Sequence, residues 1–223
     1  MKDCRECKLF AGIDEKALSG LRSVLGAFER SFGKGEVIIN QGDNTDKLGV
    51  VTEGSIEAIR FSANGNGTLI SALGRGEVFA DFLAADDTAQ SPVSIIAGDR
   101  CRVMLIPFGG LFARDTGFDE EKRIILSNLV AIYAEKYFLL MDRLICISSP
   151  TIRGKIVKYL TLMHGKTGTA TFEVPFDREG LARYLNVDRS ALSRELSKMK
   201  NDGLIEYYKS SFRIIDKSLL RDG

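Results

Sequence analysis

Two different periodicities divide the chain. In the first half, short β-rich runs alternate with glycines: Val37-Ile38-Ile39, 48–51, 56–59, 68–70, 93–96 and 103–106, with glycines at 33, 35, 42, 54, 65, 67, 74, 76 and 98. Strands this short at such spacings predict an antiparallel roll or barrel from Phe28 to Pro107. Asn64-Gly65-Asn66-Gly67 is its clearest hairpin tip. An amphipathic helix precedes the roll, with Asp14 as cap and Leu18, Leu21, Val24 and Leu25 as apolar stripe. The stretch 78–85, followed by Asp86-Asp87-Thr88, predicts a short helix and loop between strands.

Helical periodicity takes over at Asp119, where Asp119, Glu120 and Glu121 suit the positive end of a helix. Leu126, Val130, Tyr133, Tyr137, Leu140, Leu144 and Ile147 then recur at alternating spacings of four and three. That is the seam of a coiled coil, and its two-fold symmetric partner is a second copy of the chain. A second stripe, Phe138, Leu139, Ile145 and Cys146, is expected to pack within one chain. Ser148-Ser149-Pro150 ends the helix and reads as a hinge.

Beyond the hinge the pattern predicts a helix over 151–163 and a strand over 169–174, then two short helices with a tight corner. Asp177 caps the first helix, Asn186 suits a left-handed corner, and Asp188 caps the second. Leu192, Leu196 and Met199 mark the buried side of the second helix. Its opposite side carries Arg189, Ser190, Ser193, Arg194 and Ser197, short hydroxyls and forked cations that suit a DNA major groove. Gly203 ends that helix, and two β-rich runs around Lys209-Ser210-Ser211 form a hairpin whose polar tip can lie along phosphate. The C-terminal part is a winged helix-turn-helix. The expected fold is therefore α+β: an antiparallel β-roll over 1–116, a dimerisation helix over 117–148 and a winged helix-turn-helix over 149–223.

Charge agrees with this division. The net charge is only +1, but residues 149–223 hold 14 Lys+Arg against 9 Asp+Glu, a balance of +5, leaving −4 on residues 1–148. A basic end on an acidic body places a polyanion at the C-terminus. No unbroken apolar run approaches a membrane span, the N-terminus lacks a signal-peptide core, and four cysteines make no disulfide scaffold. A reducing cytoplasm, away from any membrane, is the expected setting.

These parts, in this order, resemble the CRP/FNR family of bacterial transcription regulators over nearly the whole chain. The resemblance is carried by Leu9-Phe10-Ala11-Gly12-Ile13, by Gly35-Glu36-Val37-Ile38 with Gly42-Asp43, and by Gly76-Glu77-Val78-Phe79. Leu181-Ala182-Arg183-Tyr184-Leu185 and Arg189-Ser190-Ala191-Leu192-Ser193-Arg194 extend it through the helix-turn-helix. It implies a homodimer on a two-fold symmetric operator in double-stranded DNA, with RNA polymerase as a further partner class. By position, Arg189, Ser190, Ser193 and Arg194 read bases, while Arg178 and the wing tip Lys209, Ser210 and Ser211 touch phosphate. Asp188 and Ser197 flank that surface. Ser190 stands where many members carry a glutamate, so their half-site cannot be copied. Asp177 stands where a hydroxyl often meets phosphate.

The sensor departs further. Where the cyclic-nucleotide branch has a Gly-Glu pair and then an Arg-Ser pair, this chain has Ala80-Asp81 and Ser91-Pro92. The arginine that neutralises a cyclic phosphate is gone. The expected effector region, Phe79, Ala80, Asp81, Phe82, Leu83, Ser91 and Pro92, is mostly apolar, which favours an uncharged small molecule over cyclic AMP. Four thiols, Cys4, Cys7, Cys101 and Cys146, are the number an iron–sulfur cluster needs, but only Cys4 and Cys7 are close in sequence. A thiol or cluster signal at Cys4 and Cys7 is the alternative to a ligand in the roll, and a vestigial sensor is another. The single histidine, His164, lies outside the roll. A cupin-like enzyme, which needs a histidine cluster inside its barrel, is therefore disfavoured, and apart from that iron–sulfur alternative no metal or cofactor is expected.

Overall fold

The computed structural model describes residues 7–86, 88–216 and 218–219. The chain divides into two compact units, one running through Tyr133 and the other starting at Ala134.

In the first unit, a 3-10 turn (Lys8–Phe10) leads into α1 (Glu15–Val24), where Asp14 caps the helix by accepting from the Lys16 amide. Eight strands follow: β1 (Phe28–Phe32), β2 (Val37–Ile39), β3 (Lys47–Glu53), β4 (Ile56–Phe61), β5 (Gly67–Leu73), β6 (Val78–Phe79), β7 (Ser94–Ala97) and β8 (Cys101–Pro107). They form two four-stranded sheets, in the orders β1-β8-β3-β6 and β2-β7-β4-β5, with every neighbouring pair antiparallel. This is the expected roll. One apolar cluster lies between sheet residues such as Val51, Ile56, Ile95 and Val103, and another joins Leu48, Val50, Met104 and Ile106 to α1. Glycine is required at position 49, because a Cβ there would overlap the Phe79 ring.

Two details differ from the sequence reading. β1 was not among the predicted runs, because Glu29, Arg30 and Ser31 interrupt its apolar pattern and only Phe32 is buried. The stretch 78–85 is a strand followed by the four-residue helix α2 (Asp81–Ala84), with Ala80 left-handed between them (φ 54°).

The long helix is α3 (Asp119–Ile147). Lys122 near its start is buried, and its ammonium donates to the Ala113 carbonyl at 2.7 Å and the Thr116 hydroxyl at 2.5 Å, so the buried charge is hydrogen-bonded. Ile125, Leu129 and Ile132 pack into the first unit's core. The apolar stripe expected to pack within the chain does not: Phe138, Leu139 and Ile145 are exposed, and only Cys146 is buried. The inward face of the helix is instead the 125-129-132 row. α3 is also long and apolar enough, by length and composition, to cross a membrane. Counting unbroken apolar runs misses this, because Glu135, Lys136, Asp142 and Arg143 interrupt the run.

The second unit contains α4 (Ile152–Thr167), β9 (Thr171–Glu173), α5 (Arg178–Leu185), α6 (Arg189–Asn201), β10 (Ile205–Tyr208) and β11 (Ser211–Ile214). The last two strands pair antiparallel, and β11 pairs with β9 to give a three-stranded sheet. The hairpin turn is Lys209-Ser210, and Ser211, expected at the tip, is the first residue of β11. Leu181, Leu185, Leu192, Leu196, Met199 and Phe212 share one core with Cys146 and Ile156.

Candidate nucleic-acid interface and sensor region

The helix-turn-helix is built as its caps dictate. Asp177 accepts from the Gly180 amide at 2.7 Å, and Asn186 closes α5 in the left-handed region (φ 52°). Lys155 reaches across to donate to the carbonyls of Leu185 and Asn186, both at 3.3 Å, where a cation suits the negative end of the helix. Asp188 accepts from the amides of Ser190 and Ala191 at 2.9 and 3.0 Å and from the Ser190 hydroxyl at 2.5 Å. These hydrogen bonds, the Ser190 hydroxyl first, hold the Asp188 carboxyl below its ordinary range.

α6 sinks Leu192, Leu196 and Met199 completely and leaves Arg189, Ser190, Arg194, Ser197 and Lys198 exposed, with Ser193 partly so. Arg189 and Arg194 form no ion pair among the described residues. Glu195, between those two faces, is held by Arg153 at 2.6 Å, and the same guanidinium reaches Asp202 at 2.8 Å. This Arg153 brace ties α4 to the middle of α6 and to its C-terminal cap, and engages the carboxylate of Glu195 next to Arg194. Sequence reading missed it, because 42 residues separate Arg153 from Glu195 and no local spacing signals the pair.

The predicted contact residues divide into two groups. Ser190 and Asp188 are engaged with each other at the helix start, and Ser197 donates to the Ser193 carbonyl at 3.0 Å with its hydroxyl 3.4 Å from the Tyr207 phenol. Arg189, Arg194 and Lys209 present their charges outward. At the wing, Lys209 is left-handed (φ 52°) and its ammonium lies 5.5 Å from the centre of the exposed Tyr208 ring. Arg178 is half-buried, with its guanidinium 4.9 Å from the Tyr207 ring centre and 5.7 Å from that of Phe212.

In the sensor region, Phe79, Ala80, Asp81, Leu83 and Ser91 are buried, but Phe82 and Pro92 face outward and do not join them. A left-handed alanine costs about 1–2 kcal/mol, and Ala80 bears that cost where the cyclic-nucleotide branch has glycine. The Ser91 hydroxyl donates to the Val93 carbonyl at 2.6 Å, so its hydrogen is already committed. Above α2, the Tyr133 hydroxyl is buried without a hydrogen-bond partner among the described residues. Burial, reinforced by the Asp81 charge, pushes it up to about 12.

Cys7, Cys101 and Cys146 are buried in three separate apolar clusters, and Cys4 lies outside the described residues. Among the described residues there is no group of three or more His, Cys, Asp and Glu placed to hold a metal. His164 lies with Nδ1 2.8 Å from the Thr169 carbonyl, at the end of α4.

Residues 29–113 match the model of the cyclic nucleotide-binding domain, and residues 154–222 match that of the Crp-like helix-turn-helix domain. The transcriptional activator protein FnrL of Cereibacter sphaeroides is 25% identical over 224 residues, covering 91% of this chain and 82% of that protein. The chain belongs to the CRP/FNR family. A second relative of this CRP/FNR regulator, the probable transcriptional regulator flp of Lacticaseibacillus casei, is 24% identical over 96% of this chain and 94% of its own. Among solved structures, OCPA-complexed CprK superposes with a TM-score of 0.61 at 16% identity, covering 94% of each chain. CLP of Xanthomonas campestris, described as a c-di-GMP responsive global regulator, gives 0.56 at 16% identity, over 92% of this chain and all of that one. At such identities these two structures show the fold of the CRP/FNR regulator and nothing about its ligand.

Proposed function

We propose that this CRP/FNR regulator binds a two-fold symmetric DNA site as a homodimer in the cytoplasm, and that a small ligand other than cyclic AMP, held in the roll against α3, controls it. The observation that carries the DNA reading is the pair Arg189 and Arg194. Both are exposed and unpaired among the described residues, on a helix whose opposite side is fully sunk in the core. Arginine on such a face pairs bidentately with guanine. Lys209 and Ser210 at the wing, with Ser211 beside them, meet phosphate and position the helix without specifying sequence.

The dimer reading rests on α3. Val130, Tyr137, Leu140 and Leu144 are all more than half exposed and fall on one seam, which Leu126, Tyr133 and Ile147 complete. Such a row needs an apolar cover. A bilayer is the poorer candidate, because the end of α3 is anchored within the second unit: Lys166 pairs with Asp142 at 2.7 Å, and Cys146 is buried. A second α3 leaves those contacts intact and covers the seam.

The ligand reading rests on Ala80, Asp81 and Ser91. A cyclic phosphate here would meet a carboxylate and a hydroxyl already bonded to backbone, and a buried phosphate without a cation is strongly disfavoured. Titration calorimetry with cyclic AMP, alongside DNA binding, tests this. Micromolar binding that strengthens DNA affinity would overturn it, and no useful response supports it.

A further inference from the structure

The resemblance to known regulators assigns Arg178 to a DNA phosphate, but its surroundings suit a different task. Its guanidinium is half-buried and lies over two wing rings, Tyr207 of β10 and Phe212 of β11, at 4.9 and 5.7 Å. Both distances are within the range of cation–π attraction. Its Nη2 donates to the Lys209 carbonyl at 3.5 Å, the outer limit of a hydrogen bond. That carbonyl belongs to the one wing residue in the left-handed region, where a side chain other than glycine or asparagine is strained. A planar fork can stack on a ring and donate from its edge at once, which an ammonium cannot. Burial draws the Arg178 guanidinium below its ordinary value.

We propose that Arg178 is a positioning residue: it clamps the wing against the start of α5 and holds the strained Lys209 turn so that the Lys209 ammonium meets the DNA backbone. On this view Arg178 acts through Lys209. The proposal rests on the DNA-binding reading above, and replaces the direct phosphate contact expected for this arginine.

A double-mutant cycle on the full-length chain separates the alternatives. The probes are a duplex enriched by the wild-type protein from random DNA and an unselected duplex, each titrated over a range of salt. Lys209→Ala should weaken binding to both duplexes and lower the salt slope by about one. Arg178→Lys keeps the charge, yet should lose roughly 5- to 30-fold on both and show the same reduced slope. Arg178→Ala combined with Lys209→Ala should be no weaker than the worse single variant, within two-fold. Each variant should keep the wild-type far-ultraviolet dichroism, which controls for general unfolding of the second unit. The proposal is overturned if Arg178→Lys binds within two-fold of wild type with an unchanged slope, or if the Arg178→Ala and Lys209→Ala losses multiply. Failure of the wild-type chain to enrich any duplex would instead sink the DNA reading itself.

Discussion

Arg143, near the end of α3, donates from Nε to the Tyr184 carbonyl at 3.1 Å and from Nη2 to the Arg183 carbonyl at 3.2 Å. Its guanidinium also lies 5.9 Å from the Tyr184 ring centre. A cation at the last carbonyls of α5 satisfies acceptors the helix leaves open and opposes its dipole. Through this contact the last turns of the long helix are fixed to the helix-turn-helix. Arg143→Gln should cost the second unit about 1–2 kcal/mol. The chain has no tryptophan, so urea unfolding followed by tyrosine near-ultraviolet dichroism is the suitable assay. A midpoint unchanged from wild type would show that the contact contributes nothing.

Base reading is tested at Arg194. Arg194→Ala should lose ~1–3 kcal/mol on a selected duplex and little on an unselected one, flattening discrimination at one base pair of the half-site. Competition binding with single-base variants of the selected site measures this. Equal losses on selected and unselected DNA would reassign Arg194 to the backbone.

How much of this was legible in the sequence depends on the range of the interaction. Caps were legible: Asp14, Asp177 and Asp188 each accept from amides two or three residues ahead, as their places before apolar-periodic runs require. The buried row Leu192, Leu196 and Met199 followed from helical spacing alone. Contacts distant in sequence were not legible. The Arg153–Glu195 brace, the Arg143 clasp and the stacking of Arg178 on Tyr207 each join residues tens of positions apart. β1 was hidden by its charged middle. Burial along the expected effector segment was not legible either: Phe82 and Pro92 are exposed although their sequence neighbours Asp81, Leu83 and Ser91 are buried.

The α3 seam makes a separate prediction. Val130→Asp with Leu140→Glu would bury two unpaired carboxylates in the dimer. Sedimentation should then show a monomer at concentrations where the wild type is dimeric. A wild type that sediments as a monomer, or a double variant that sediments as a dimer, would contradict the proposed seam.

Alkaline stability offers a test of the buried thiol. Burial, helped by Asp142, raises Cys146 from its ordinary 9.0 to about 11. The folded state therefore keeps this proton after the unfolded chain has released it. The Cys146 contribution is complete below pH 9 and is lost as pH rises from 9 through 11, by up to roughly 2 kcal/mol. Cys146→Ala should flatten that part of the stability–pH curve. At neutral pH, Cys7, Cys101 and Cys146 should all resist a thiol reagent in the native protein. Rapid labelling of any of them at neutral pH would reopen thiol chemistry as the signal.

From a random duplex pool the full-length chain should enrich two inverted half-sites containing guanines, about one helical turn (~34 Å) apart, with two chains bound per duplex. A pool that shows no enrichment, or a single unrepeated element bound by one chain, would contradict the proposed two-fold dimer on DNA.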